Sequence, residues 1–266
     1  MEQSHAMTAP TRPGVGWSGP QPWRWFIGAE ILIVLGLSLG RSGYYAVLEL
    51  VDALTRGPLR DQSTSLNPSV SPRPWFDLLY QLSGIVFTLV PVVLVLFLLH
   101  ITGSQALRAL GLDLLRPIAD LLWGLGLAAA IGIPGLGVYW LGRVLGATME
   151  VVPAALDQHW WAIPVLVLQA VKNALIEEVV VAGYLVVRLE QIGWSPAAVL
   201  AVSALLRGSY HLYQGIGAGI ANVVMGLVFA EFFRRTRRTG PLIVAHTVMD
   251  VVVFVGYALL GPALGL

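Results

Sequence analysis

Trp161-Ala-Ile-Pro-Val-Leu-Val-Leu-Gln-Ala-Val-Lys-Asn-Ala-Leu-Ile-Glu177-Glu178-Val-Val-Val-Ala-Gly-Tyr-Leu-Val-Val-Arg188 is long and apolar enough to cross a bilayer, whose hydrocarbon core needs about 20 such residues. Two adjacent glutamates stand near its middle. An ionisable group at that depth costs roughly 3 kcal/mol on insertion scales, so the pair is expected to face a cavity or a partner. Neighbours on a helix diverge by about 100°, so the two carboxylates cannot point at one spot. Glu177 shares a stripe with Asn173, Tyr184 and Arg188, and Glu178 lies over Ala174 and Ala182.

The same apolar texture recurs on both sides of this run. Seven membrane segments are expected: about Trp25 to Gly43, with helix continuing toward Leu54; about Trp75 to Ile101; about Pro117 to Leu141; Trp161 to Arg188; about Pro196 to His211; about Gly217 to Phe233; and about Leu242 to Leu260. Residues 1–22 are polar and rich in Pro and Gly and read as a disordered tail. They lack the basic-then-apolar layout of a signal peptide. Residues 57–74 hold four prolines and several serines and read as an extramembrane loop. Residues 23–162 are thus expected to form an N-terminal set of helices, and residues 163–266 the part that carries the chemistry. The fold class expected is an all-α polytopic bundle. Gly132, Pro134, Gly135 and Gly137 suggest a kink or close packing in the third segment, and Gly36/Gly40 and Gly215/Gly219 have the spacing of packed membrane helices.

Composition agrees. Of 266 residues, 56% are hydrophobic and 12% charged, with a mean hydropathy of +0.75, too little charge for a soluble surface. A net charge of +1 argues against a nucleic-acid partner. With no cysteine, disulfides, thiolate–zinc sites, iron–sulfur clusters and a thiol nucleophile are excluded. The strongest basic cluster is Arg234, Arg235, Arg237 and Arg238. Placing it in the cytoplasm puts Arg24, Arg108, Arg116 and Arg188 there too, with the N-terminus inside. Arg56, Arg60 and Arg73 fall in an opposing loop.

Polar groups also mark the later segments. Ser203, Arg207 and His211 recur every four residues and line one face; His246 and Asp250 share a face of the last segment; Asn222 lies in the sixth. Each has a bland alternative: an interfacial histidine, a local His–Asp pair, a structural hydrogen bond. Together, on successive helices, they suggest one convergent site. Two chemistries fit. A carboxylate and a histidine could activate a water for attack on a peptide carbonyl. Alternatively His211, His246, Glu177 and Asp250 could hold a divalent metal such as zinc that activates it. The soluble metalloprotease pattern H-E-x-x-H is absent, and Gly40-Arg41-Ser42-Gly43, which imitates a serine-protease motif, has no histidine partner in view.

The order Glu-Glu, His, His-x-x-x-Asp resembles the CPBP family, the CAAX prenyl endopeptidase and bacteriocin-processing (Abi) proteins, over about Val165 to Phe254. The motifs stand as Glu177-Glu178-Val-Val-Val-Ala182-Gly183-Tyr184, Arg207-Gly-Ser-Tyr-His211 and His246-Thr-Val-Met-Asp250. The resemblance implies a membrane-embedded endopeptidase in which Glu177 and His211 activate the water, while His246 and Asp250 stabilise the oxyanion or position the water; Glu178 completes the carboxylate pair. Arg207, Asn173, Tyr184 and Asn222 are expected to support them. Two positions depart from the family pattern: Ala182 stands where it has arginine, and Arg207 where it has phenylalanine. The expectation is that Arg207 returns the missing cation from the neighbouring helix. The expected setting is the plasma membrane of a bacterium, N-terminus cytoplasmic, with the bilayer and a peptide or protein substrate as partners.

Two other functions compete. A non-catalytic immunity or scaffold protein of the same fold would use the polar cluster structurally. An ion-coupled transporter would use it as a proton relay, but the polar residues crowd the last four segments with no sign of an inverted repeat. Depth is the geometric question. His211 closes its span on the outer side and His246 opens its span on the inner side, so they meet Glu177 only if helices are tilted, broken or re-entrant. Gly215, Gly217 and Gly219 permit a break.

Overall fold

In the computed structural model, which describes residues 22–103, 105–156 and 159–264, nearly every residue of the apolar segments is helical. Helix α1 is Pro22–Gly36, α2 Leu39–Arg56, α3 Pro74–Ile101, α4 Ala106–Ala109 and α5 Pro117–Val144. Helix α6, Ala162–Glu177, passes without interruption into a wider π-helical stretch, Glu178–Leu185, and then into α7, Val186–Gln191. Helix α8 is Pro196–Ser209, α9 Ile216–Thr236 and α10 Gly240–Leu264. The protein is an all-α membrane bundle. Helices α3, α5, α9 and α10 are each long and apolar enough to cross a membrane. The expected tail, residues 1–22, lies outside the described residues except for Pro22, which opens α1.

Sequence chemistry sets several of the ends. Prolines begin α3, α5 and α8, where a missing N–H costs nothing. Ser195 caps α8 by accepting from Ala198 N at 3.4 Å. The first segment is not the single helix expected: α1 and α2 bend by 54° at Leu37–Ser38. Ser38 leaves helical geometry (φ −137°, ψ −126°), and its hydroxyl turns back to donate to the Val34 carbonyl at 2.6 Å. Gly40 makes the bend tolerable, because a Cβ there would sit 2.8 Å from the Leu35 carbonyl oxygen. The loop expected outside the membrane, residues 57–74, meets the segment between α5 and α6. Ser63–Ser65 (β1) pairs in parallel with Glu150–Val152 (β2), Thr64 opposite Val151.

Loop contacts sort into two ends. At one, Arg24 donates to the Ile192 carbonyl, Arg237 pairs with Glu190 at 2.6 Å, and Arg238 pairs with Asp120 at 2.7 Å. At the other, the β1–β2 pair sits beside the turn after α8, where Met149 N donates to Gln214 O at 3.0 Å. Exposed tryptophans flank both ends: Trp23, Trp25 and Trp194 at the first, Trp75, Trp140 and Trp160 at the second. That is the girdle expected where a bundle meets headgroups.

The core is the α6–π–α7 post. Every residue of Glu178–Leu185 is buried, while α1, α3 and α5 expose large apolar side chains outward, including Phe87, Val93, Ile118 and Leu136. Helices α3, α8, α9 and α10 enclose the post. Helices α8 and α9 approach through small residues. A Cβ at Gly208 would collide with Val223, and one at Gly226 would lie 2.9 Å from the Ala204 Cα and 3.2 Å from the Arg207 side chain. Glycine at 226 therefore makes the room in which Arg207 lies.

A candidate active site around Glu177 and Glu178

The π-helical widening begins at the glutamate pair. Such widenings cluster at functional sites, because one extra residue per turn re-aims the side chains. Glu178 is completely buried and Glu177 keeps 8% of its surface, so of the two only Glu177 is partly open.

Arg207, on α8, lies between the two. Its Nη1 donates to Glu178 Oε1 at 2.7 Å, and its Nη2 lies 3.3 Å from Glu177 Oε2. It is 2% exposed and covered by the Phe229 ring, 5.2 Å away. The same Oε2 of Glu177 accepts from the Tyr210 hydroxyl at 2.9 Å. His246, on α10, turns Nδ1 to Glu178 Oε1 at 2.7 Å. At that distance the nitrogen carries the proton and donates. The guanidinium also lies 3.3 Å from Nδ1, but two donors cannot bond each other, so this is a contact only. His246 Nε2 faces Asp250 Oδ2 at 3.6 Å, and Asp250 Oδ2 accepts from Asn173 at 3.1 Å. A chain thus runs from Glu177 through Arg207, Glu178 and His246 to Asp250 and Asn173, joining α6, the π stretch, α8 and α10.

His211 stands beside this chain. Its Nδ1 meets the Arg207 carbonyl at 3.0 Å. A carbonyl only accepts, so Nδ1 carries the proton and Nε2 keeps its lone pair. Its ring stacks on Tyr210 with centroids 4.8 Å apart, and it is partly exposed. No hydrogen bond joins His211 to Glu177 among the described residues; Tyr210 is the link between them. The depth question has a simple answer. Helix α8 has 14 residues, about 21 Å, short of the ~30 Å hydrocarbon core. Its end therefore delivers Arg207, Tyr210 and His211 below the far surface.

Residues 159–252 match the family model described as type II CAAX prenyl endopeptidase, Rce1-like. That segment is an Rce1-like domain of the CPBP family. No curated protein and no solved structure gave a significant match. The family is one of membrane-embedded peptidases, and the Rce1-like domain covers all of the polar chain from Asn173 to Asp250.

Not every residue singled out in the sequence belongs to that chain. Tyr184 and Arg188 turn to the far side of the post, where both bond Glu30 Oε1 at 2.8 Å, and Arg188 also donates to the Leu98 carbonyl at 3.1 Å. The stripe that seemed to join them to Glu177 is split, because the π widening rotates Tyr184 and Arg188 away. Asn222 donates to the Ala218 carbonyl of its own helix at 3.1 Å. Ser42 stays in α2, where Gly43 makes room for Ser209. Two participants were overlooked in the sequence. Tyr210 is adjacent to His211, and its type, a phenol one residue from a histidine already singled out, was the available signal. Glu30, an acid inside an apolar run, was another.

The metal set expected from the sequence is not assembled. Among the described residues, the His, Asp and Glu ligand atoms that come within 4.8 Å of one another belong to Glu177, Glu178 and His246. His211 is held by the Arg207 carbonyl and Asp250 sits one turn further along α10, and neither joins the group. All three members touch the Arg207 guanidinium. A divalent ion about 4 Å from that charge would be repelled by roughly 8 kcal/mol at an effective dielectric of about 20. The donor set with Arg207 in place does not fit a metal.

Proposed function

We propose that the protein is a membrane-embedded endopeptidase that hydrolyses a peptide bond of a membrane-associated substrate with a water activated by Glu177 and His211. The observation that carries this is the division of labour between the two glutamates. Glu178, completely buried, is held by Arg207 and His246. Glu177 reaches the accessible side, with Oε2 fixed by Tyr210 and Arg207 and Oε1 left free of protein partners among the described residues. A carboxylate held by one oxygen and open at the other suits a general base. His211, with Nδ1 anchored and Nε2 open, suits the second proton acceptor.

In the reaction, Glu177 Oε1 takes a proton from the water as its oxygen bonds to the carbonyl carbon. The tetrahedral intermediate collapses, the C–N bond breaks, and the proton passes to the departing amine. His246 and Asp250 face each other, and His246 has its other ring nitrogen on Glu178, so neither imidazole nitrogen is left for the water. Their part is to hold Glu178 and, through it, Arg207, whose permanent charge fixes Glu177 Oε2. The Rce1-like match favours a substrate at or within the bilayer, a CAAX-type C-terminus being the class its description names. The Arg234–Arg238 cluster favours a cytoplasmic N-terminus.

A non-catalytic reading has one observation in its favour: Arg207 and Tyr210 already satisfy Glu177 Oε2. The test is cleavage of prenylated and unprenylated membrane peptides by the purified chain and its Glu177→Gln variant. Loss of cleavage with retained folding supports the reading, and equal cleavage by both removes it.

A further inference from the structure

Glu177, Glu178 and His246 have the composition of a divalent-metal site: two carboxylates and an imidazole on two helices, all less than a tenth exposed. What lies among them is a guanidinium. We infer that Arg207 occupies the place of a divalent cation, so that the site is a carboxylate–imidazole metal pocket filled by an organic cation carried on α8.

Two observations carry the inference. Arg207 touches every member of the set, at 2.7 Å to Glu178, 3.3 Å to Glu177 and 3.3 Å to His246 Nδ1. Glu178 Oε2 and Arg207 Nε, buried and without partners among the described residues, mark where the guanidinium fills this pocket imperfectly.

The inference does not rest on hydrolysis and is read without it. The probe is Co2+, titrated into the purified full-length chain in detergent, with visible absorption and thermal unfolding as readouts. Wild type should show no cobalt spectrum that depends on His246. Arg207→Ala should bind one cobalt ion per chain with the intense bands of low coordination and should regain thermal stability with Co2+ or Zn2+. Arg207→Ala combined with His246→Ala should lose at least about tenfold in cobalt affinity. Arg207→Lys, which keeps a cation, should bind none. If Arg207→Ala accumulates only when cells are grown with zinc, the inference is supported. Wild type that binds cobalt as tightly as Arg207→Ala overturns it. So does Arg207→Ala that binds no metal, or that folds neither with zinc nor without. Cobalt binding with unchanged peptide cleavage defects, or with none, leaves this inference standing and bears only on the proposed function.

Discussion

Replacing Arg207 by leucine removes a guanidinium that lies within 4 Å of both Glu177 and Glu178. Leucine recovers part of the packing against Phe229, so the cost is mainly electrostatic. Breaking a buried pair by deleting one partner costs about 3–5 kcal/mol, because the other charge is stranded. Here two carboxylates are stranded. Glu177 keeps the Tyr210 hydroxyl and some exposure, whereas Glu178 keeps only His246. The expected loss is therefore toward the upper end, about 4–5 kcal/mol, most of it located at Glu178. The second half of the cycle makes this specific. Arg207→Leu with Glu178→Leu removes the stranded charge and is expected to recover about half of the loss or more, since apolar replacement of a buried pair is often near neutral. The assay is equilibrium unfolding in mixed micelles for wild type, both single variants and the double. A loss under about 1 kcal/mol for Arg207→Leu, or a double variant no better than the single, would refute the reasoning.

Tyr210→Phe deletes a hydrogen bond to a carboxylate, usually about 1.5–3 kcal/mol; we expect folding to survive and kcat to fall by about tenfold or more, measured as cleavage at saturating peptide. Gly226→Ala puts a Cβ 2.9 Å from the Ala204 backbone and 3.2 Å from the Arg207 side chain; a loss of about 1–3 kcal/mol is expected, along with reduced cleavage, whereas Gly126→Ala, with nothing within 4 Å, should change neither. Glu30→Gln weakens the buried pair with Arg188 and should lower the unfolding midpoint while leaving KM and kcat of the remaining folded enzyme unchanged, which separates the two polar clusters. Outside the membrane, the Leu115 N–H, and after it the Arg238 guanidinium, hold the Asp113 carboxyl below its usual range. Its contribution to stability is present above the usual carboxylate range and fades as the pH falls through the lowered value, so Arg238→Ala should flatten the acid limb of a stability–pH profile.

The bundle was legible in the sequence because a membrane leaves few options for an apolar run. Prolines at 74, 117 and 196 and the Arg234–Arg238 cluster marked ends that the helices keep to within a few residues. What periodicity could not show was departure from period 3.6. Steps of seven and eleven residues from Glu177 put Tyr184 and Arg188 on its stripe, and the π turn sends them to Glu30 instead. The break at Ser38 was hidden for a similar reason: the sequence on both sides stays helical and apolar, and the bend depends on one side-chain-to-backbone bond. The site's residue types were readable, but their hierarchy was not. Burial puts Glu178 and Arg207 innermost and leaves Glu177 8% exposed and His211 partly exposed, and burial depends on how α8, α9 and α10 close around the post.

The most direct test of that hierarchy is a single-turnover cleavage assay of one membrane peptide by purified wild type, Glu177→Gln and His211→Ala, each checked for folding by its unfolding midpoint. The account predicts midpoints close to wild type for both variants and cleavage reduced by about 10²-fold or more. Cleavage by folded Glu177→Gln at the wild-type rate would contradict it.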